Sequence, residues 1–206
     1  MFTGIIENTS IVTQIEYEGT NMILTLQSPI AHEFYIDQSI AHNGACLTIT
    51  NINPPFYQVT LIEETLNKTN FKHIQINDIV NIERSMLANT RIDGHFVTGH
   101  VDCTGIIEKI TSKNGSTELL ISHPQNPYFI TIPKGSIAIN GISLTIVESY
   151  PDKFSVHIIP YTFYHTNIQY LKEGTLVNLE FDIFGKYIYK ILSTQHHLQT
   201  LKKTIL

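Results

Sequence analysis

The sequence predicts an all-β protein in which one small β domain occurs twice in tandem and a helix closes the chain. Three observations predict it. The run SIAHNGACLTI at 39–49 returns as SIAINGISLTI at 136–146, an offset of 97 residues, and at the same offset EETLNKTNF (63–71) falls on PYTFYHTNI (160–168) and VNIE (80–83) on VNLE (177–180). A period of roughly 100 residues is too long for a solenoid unit and suits a duplicated domain. The stretches ILTLQS, CLTITNI, YQVTLI and FSVHII alternate with period two and are rich in β-branched and aromatic residues, the pattern of half-buried strands. Beyond Asp182, residues Phe184, Ile188, Ile191, Leu192, Leu198, Leu201 and Ile205 recur instead at steps near three and four, which is an amphipathic helix.

Taken in order, the chain opens with TGIIE at 3–7, and the same letters stand at 104–108. Paired, these two runs are offset by 101 residues, so that one copy gains four residues before the next shared motif. Turn signals at Tyr17-Glu18-Gly19, Asn53-Pro54-Pro55, Lys113-Asn114-Gly115 and Tyr150-Pro151-Asp152 cut each copy into short strands and favour a barrel or sandwich over a parallel sheet. Short helical turns fit near AHEFY and NPYFI. MLANTRIDG (86–94) reads as an ordered linker, too short and too poor in Gly and Ser for a flexible tether, so the two domains should sit close together. The apolar face of the C-terminal helix needs cover, from its own domain or from another subunit.

Composition narrows the function. With 42% hydrophobic and 15% charged residues and no low-complexity tract, the 206-residue chain is an ordinary globular protein. Thirteen scattered Lys and Arg against eighteen Asp and Glu argue against nucleic-acid or anionic-membrane partners. No apolar run approaches the ~18 to 20 residues that span a bilayer, and no signal sequence is read, so a cytoplasmic location is expected. Cys46 and Cys103 are the only cysteines and are expected to be free thiols.

The chemistry-bearing residues cluster at the repeated motifs. NGACLT becomes NGISLT, which sets Cys46 opposite Ser143 while Thr48 and Thr145 agree. Alternation puts Cys46 and Thr48 on one strand face, and Cys46 reads either as a small core residue or as a nucleophile or polar pocket group. DGHFVTGHVDC gathers His95, His100, Asp102 and Cys103. In a strand His95 and His100 would face opposite ways and no second ligand cluster exists, which argues against a metal site. His100 beside Gly99 reads as a proton-transfer or hydrogen-bonding group, or as a satisfied histidine. Glu64-Thr65 and Tyr161-Thr162 hold equivalent places at strand ends, for capping or for ligand contact. Lys134 is the cation near the second Asn-Gly turn, to bind a carbonyl-rich ligand or simply to be solvated. There is no phosphate loop and no dinucleotide fingerprint.

Together MFTGIIE, SIAHNGACLTI, ETLNKTN, VNIERS, GHFVTGHVD, IAINGISLTI, VNLEFD and GKY, in register along nearly the whole chain, resemble the riboflavin synthase family of α-chain type. That family also contains catalytically silent lumazine- and flavin-binding carriers. The resemblance implies two six-stranded Greek-key barrels at 1–87 and 98–184, a linker at 88–97, and a helix at 185–206 that assembles a homotrimer. It implies a dismutation in which two molecules of 6,7-dimethyl-8-ribityllumazine exchange a four-carbon unit, giving riboflavin and 5-amino-6-ribitylamino-uracil without metal or cofactor. Each working site would join the N-terminal barrel of one subunit to the C-terminal barrel of its neighbour, and association with lumazine synthase is left open. Carried over by position, Gly4, Ile5 and Ile6 would line the first pocket with Phe2 beside the reacting rings. Cys46, Leu47, Thr48 and the strand Thr60, Leu61, Ile62, Glu63, Glu64, Thr65 would hold one lumazine. Gly99, His100, Val101, Lys134, Ser143, Leu144, Thr145 and the strand Ile159, Pro160, Tyr161, Thr162 would hold the other. His100 is assigned to proton transfer, Cys46 and Ser143 to nucleophile activation or orientation, and Asp182 to a supporting polar role. Three positions depart from the family pattern: Asp93 for Gly, Asn140 for Asp and Tyr161 for Glu. The last two are expected to alter the second pocket.

Overall fold

Two six-stranded barrels close on the period-two pattern. In the computed structural model, which describes residues 1–204 and side chains through Thr194, the first barrel contains β1 (Asn8–Glu18), β2 (Asn21–Gln27), β3 (Ser39–His42), β4 (Ala45–Asn53), β5 (Phe56–Leu61) and β6 (Ile79–Arg84). Its circular order is β1-β2-β5-β4-β3-β6, all antiparallel, a Greek key. The second contains β7 (Cys103–Lys113), β8 (Ser116–Ser122), β9 (Ser136–Ile139), β10 (Ile142–Ser149), β11 (Lys153–Ile158) and β12 (Leu176–Phe181) in the same circular order. Bulges fall at matching places, Val12/Gln14 with Ile107/Lys109 and Ile49/Asn51 with Ile146/Glu148, and bend the strands for closure. Leu24, Ile49 and Val59 fill the first interior, and Ile121, Ile146 and Val156 the second.

The strand equivalences correct the opening repeat. The bulges make β1 and β7 equivalent at an offset of 95, so TGIIE at 3–7 corresponds to TGHVD at 98–102, and TGIIE at 104–108 lies within β7. Identical letters had joined non-equivalent segments. The second copy is therefore longer by two residues, gained between β8 and β9. In the first barrel that connection contains the expected turn near AHEFY, at Ala31–Glu33. At NPYFI the chain makes one tight turn, with Phe129 N–H donating to Asn126 O at 2.9 Å, but no helical turn, and Phe129 stacks on Phe181 at 4.6 Å.

The strands expected at 60–65 and 159–162 are also cut short. β5 stops at Leu61 and β11 at Ile158, and each is followed by a short helix, α1 (Glu63–Lys68) and α2 (Pro160–His165). Acidic residues occupy the first turn of α1 and Pro160 the first position of α2, both favourable helix starts.

The barrels meet across a local two-fold axis at their Asn-Gly turns. Gly44 and Gly141 both have φ +80°, and a Cβ on either would stand 2.8 Å from the other's backbone nitrogen. Asparagines tie the junction: Asn81 Nδ2 donates to Asn140 O at 3.0 Å, and its equivalent Asn178 Nδ2 donates to Asn43 O at 2.9 Å. Asn140 accepts the Asn178 N–H at 2.8 Å and is fully buried here. It belongs to the junction and not, as expected, to the second pocket.

Helix α3 (Ile183–Thr204) starts two residues before the expected 185, because Asp182 Oδ1 accepts the Phe184 N–H at 3.0 Å. Phe184, Tyr187, Ile188, Ile191 and Leu192 are each more than half exposed, so the barrel does not cover this face. Leu198, Leu201 and Ile205 lie outside the residues whose side chains are described. No described helix is long and apolar enough to cross a membrane.

Candidate active site

Two short segments run between the barrels and build the site. Phe2 and Val97, equivalent residues, pair as an isolated bridge with N–H to O distances of 2.8 and 3.1 Å. Past this bridge each chain turns through Thr-Gly, with Gly4 at φ +78° and Gly99 at φ +82°. Each turn then lies against the other barrel. Gly4 O accepts the Ser143 N–H at 2.8 Å and Ile6 packs on the second core, whereas Gly99 O accepts the Cys46 N–H at 2.8 Å and Val101 packs on the first. The positional assignment is thus crossed: Gly4, Ile5 and Ile6 belong with Ser143, and Gly99, His100 and Val101 with Cys46. A Cβ on Gly99 would stand 2.6 Å from Cys46 Cβ, and one on Gly4 2.6 Å from Ser143 Cβ. The missing side chain of Gly99 therefore makes room for Cys46 and the Phe2 ring.

Alternation along β4 and β10 decides which side chains are available. Cys46 and Ser143 are half-buried, and Thr48 and Thr145 exposed, on the outer faces of the barrels. Leu47, Leu61 and Leu144 point inward into the cores, which removes their side chains from any outer-face pocket. Phe2 is also withdrawn: it is fully buried with Ala41, Val97 and Ala138, and its ring is a wedge between the barrels.

The two reactive positions have different neighbours. His95 Nδ1 lies 2.7 Å from Ser143 Oγ, and its Nε2 is buried with no hydrogen-bond partner among the described residues. Gly94 makes the approach possible, since a Cβ there would collide with Thr3 O and Ser143. Burial lowers the His95 pKa below the ordinary imidazole value, opposed by the charge of Asp182. Ser143 thus touches a neutral base whose cationic form has a carboxylate nearby. His95 was singled out by sequence only as a metal candidate; segment 95–102 is not a strand, and His95 and His100 serve different barrels. Cys46 instead packs against the cluster of Phe2, Ala41, Val97 and Ala138. Cys103 is half-buried, and burial pushes its thiol up to about 12, which leaves it a poor nucleophile.

Beside each crossing segment lies an open cleft. The larger, about 700 Å³, gathers Glu64 and Lys68 of α1, His100, Val101, Asp102 and the start of α3. Lys186 of that helix donates to both Asp102 oxygens, at 2.8 and 2.9 Å. Its counterpart, about 300 Å³, gathers Tyr161 and His165 of α2 with Ile6 and Glu7, and Tyr161 stacks on His165 at 4.1 Å. Neither cleft is lined by Cys46, Ser143 or Thr145, and Lys134 lies in the exposed turn before β9, outside both. Thr65 and Thr162 receive i+4 hydroxyl bonds from Thr69 and Thr166 at their carbonyls, both 2.7 Å. Ile62, Glu63, Ile159 and Pro160 are exposed where the strands pass into the helices. Among the described residues no group of three His, Cys, Asp or Glu side chains is arranged to hold a metal.

Comparison with known proteins agrees with the internal equivalences. The lumazine binding domain model matches residues 3–85 and 98–182, so both copies start at the Thr-Gly turns. Riboflavin synthase of Actinobacillus pleuropneumoniae is 41% identical over 193 residues, 93% of this chain and 90% of that protein. Riboflavin synthase of Bacillus subtilis (strain 168) is 36% identical over 201 residues, 97% and 94% of the two chains. A crystal structure of LumP complexed with riboflavin shares the fold with a TM-score of 0.82 at 22% identity, covering 88% of this chain and 99% of that one. With the domain model matched twice and riboflavin synthases aligned along most of its length, the chain belongs to the riboflavin synthase family.

Proposed function

We propose that this chain is a riboflavin synthase, converting two molecules of 6,7-dimethyl-8-ribityllumazine into riboflavin and 5-amino-6-ribitylamino-uracil. The observation that carries the reading is that two equivalent outer-face positions, termed mouths below, hold different reactive groups, Cys46 against Gly99 and Ser143 against Gly4. A dismutation needs two similar sites that treat the same molecule differently, one as donor and one as acceptor. The atoms of two substrates equal those of the two products, so the reaction requires no external oxidant or reductant. His95 takes the Ser143 proton, Asp182 stabilises the imidazolium that results, and His100 moves a proton at the other mouth. Glu64 and Thr48 bind substrate on the first barrel, and Tyr161 and Thr145 on the second.

The two clefts share no lining residue, which favours bringing donor and acceptor together across a subunit boundary. The uncovered apolar face of α3 supports a homotrimer as the assembly that does so. Holding two rings face to face supplies a proximity term of about 7 to 11 kcal/mol.

The test is to incubate purified protein with 6,7-dimethyl-8-ribityllumazine, with no added metal or cofactor, and follow riboflavin absorbance. One riboflavin for every two lumazines consumed, over many turnovers, is the expected result. Ligand binding without turnover would overturn the enzyme reading in favour of a carrier.

A further inference from the structure

Two buried carboxylates have no part in the chemistry above. Glu83 on β6 and Glu180 on β12 are equivalent and buried, and neither is in an ion pair among the described residues. Each instead takes three hydrogen bonds from one Thr-Gly turn. Glu180 Oε1 accepts Thr98 N–H at 2.6 Å and Thr98 Oγ1–H at 2.7 Å, and Oε2 accepts Gly99 N–H at 3.0 Å. Glu83 accepts Thr3 N–H at 2.6 Å, Thr3 Oγ1–H at 2.8 Å and Gly4 N–H at 2.9 Å. Burial raises both carboxyl pKa values, and these donors oppose it. The turn held by the second barrel's glutamate is the one whose Gly99 carbonyl holds Cys46 of the first barrel. The turn held by the first barrel's glutamate is the one whose Gly4 carbonyl holds Ser143 of the second.

We infer that Glu83 and Glu180 are crossed positioning residues: Glu180 of the second barrel sets the first barrel's mouth at Cys46 and His100, and Glu83 of the first barrel sets the second barrel's mouth at Ser143. A glutamine keeps the size of the side chain and one acceptor oxygen, but its NH2 faces an N–H donor at the other. The turn then loses at least one charge-assisted bond, which opens it by about tenfold. For catalysis the inference rests on the proposed function, since the mouths so fixed are those assigned to lumazine; the geometry itself does not depend on the ligand.

Alkylation of Cys46 by iodoacetamide, mapped by peptide mass spectrometry, tests the crossing without lumazine. Glu180→Gln is expected to raise the Cys46 rate about tenfold, Glu83→Gln to leave it at the wild-type value, and Cys103 to stay slow in both as a monitor of general loosening. Thr98→Val, which deletes the hydroxyl bond to Glu180 Oε1 and the one accepted from His100 N–H, should move Cys46 in the same direction and substitutes for Glu180→Gln if that variant does not fold. Equal Cys46 rates in the two glutamine variants, or a parallel rise at Cys103, would overturn the inference. Riboflavin turnover should fall in both glutamine variants. Crossed alkylation with undiminished turnover would contradict the functional reading of the mouths while leaving the positioning intact.

Discussion

His95 reaches Ser143 because Gly94 carries no side chain where the linker passes Thr3 and β10. The pair is 48 residues apart in sequence, and nothing in DGHFVTGHVDC announces it. The equivalence of Cys46 and Ser143 was legible, since a repeat that keeps NG and LT while changing the two residues between them marks where the copies differ. The sequence reading failed where it assumed period two for 95–102, a segment whose backbone bonds go to Thr3, Phe2, Glu180, Cys46 and Leu179. If the neutral imidazole accepts the serine proton, His95→Gln lowers kcat by about 10²-fold with binding retained, Ser143→Ala does likewise, and the double variant falls little further. Because burial holds the His95 pKa below 6.5, the neutral form survives as pH falls through that value, and the His95-dependent part of the rate declines only at lower pH. Steady-state kinetics of the three variants against pH checks both statements.

The barrels were readable as elements because half-buried strands and their turns write a period of two, but the short helices were not. Six residues are too few to display a helical period, so EETLNK and PYTFYH looked like strand ends. Their placement matters, since Glu64 and Lys68 on α1 correspond to Tyr161 and His165 on α2, four residues apart on one helix face. The first cleft therefore presents charges, and the second presents a stacked aromatic pair. Riboflavin titration followed by flavin fluorescence is expected to show two unequal affinities. Tyr161→Glu should strengthen the weaker by up to about tenfold, the value of one added charge-assisted bond, and leave the stronger unchanged. A shift in the stronger phase would remove Tyr161 from the second mouth.

At the scale of the molecule, the local two-fold axis explains what the repeat meant and also why the copies need each other. The Asn-Gly turns pack against one another, the Thr-Gly turns exchange barrels, and neither mouth is complete without a segment from the other half. Sequence registered the duplication but could not show the exchange, because a repeat gives equivalence and not which copy touches which. The exposed face of α3 is the surface proposed to join one chain to the next. The most direct test is to co-express His100→Ala and Ser143→Ala chains with two different tags and to purify the mixed oligomers. If a working site joins the first-barrel mouth of one subunit to the second-barrel mouth of the next, random mixing restores intact sites at about a quarter of the subunit boundaries, and riboflavin synthesis recovers to about that fraction of wild type. Mixed oligomers no more active than the two parent variants would contradict the account and confine each reaction to a single chain.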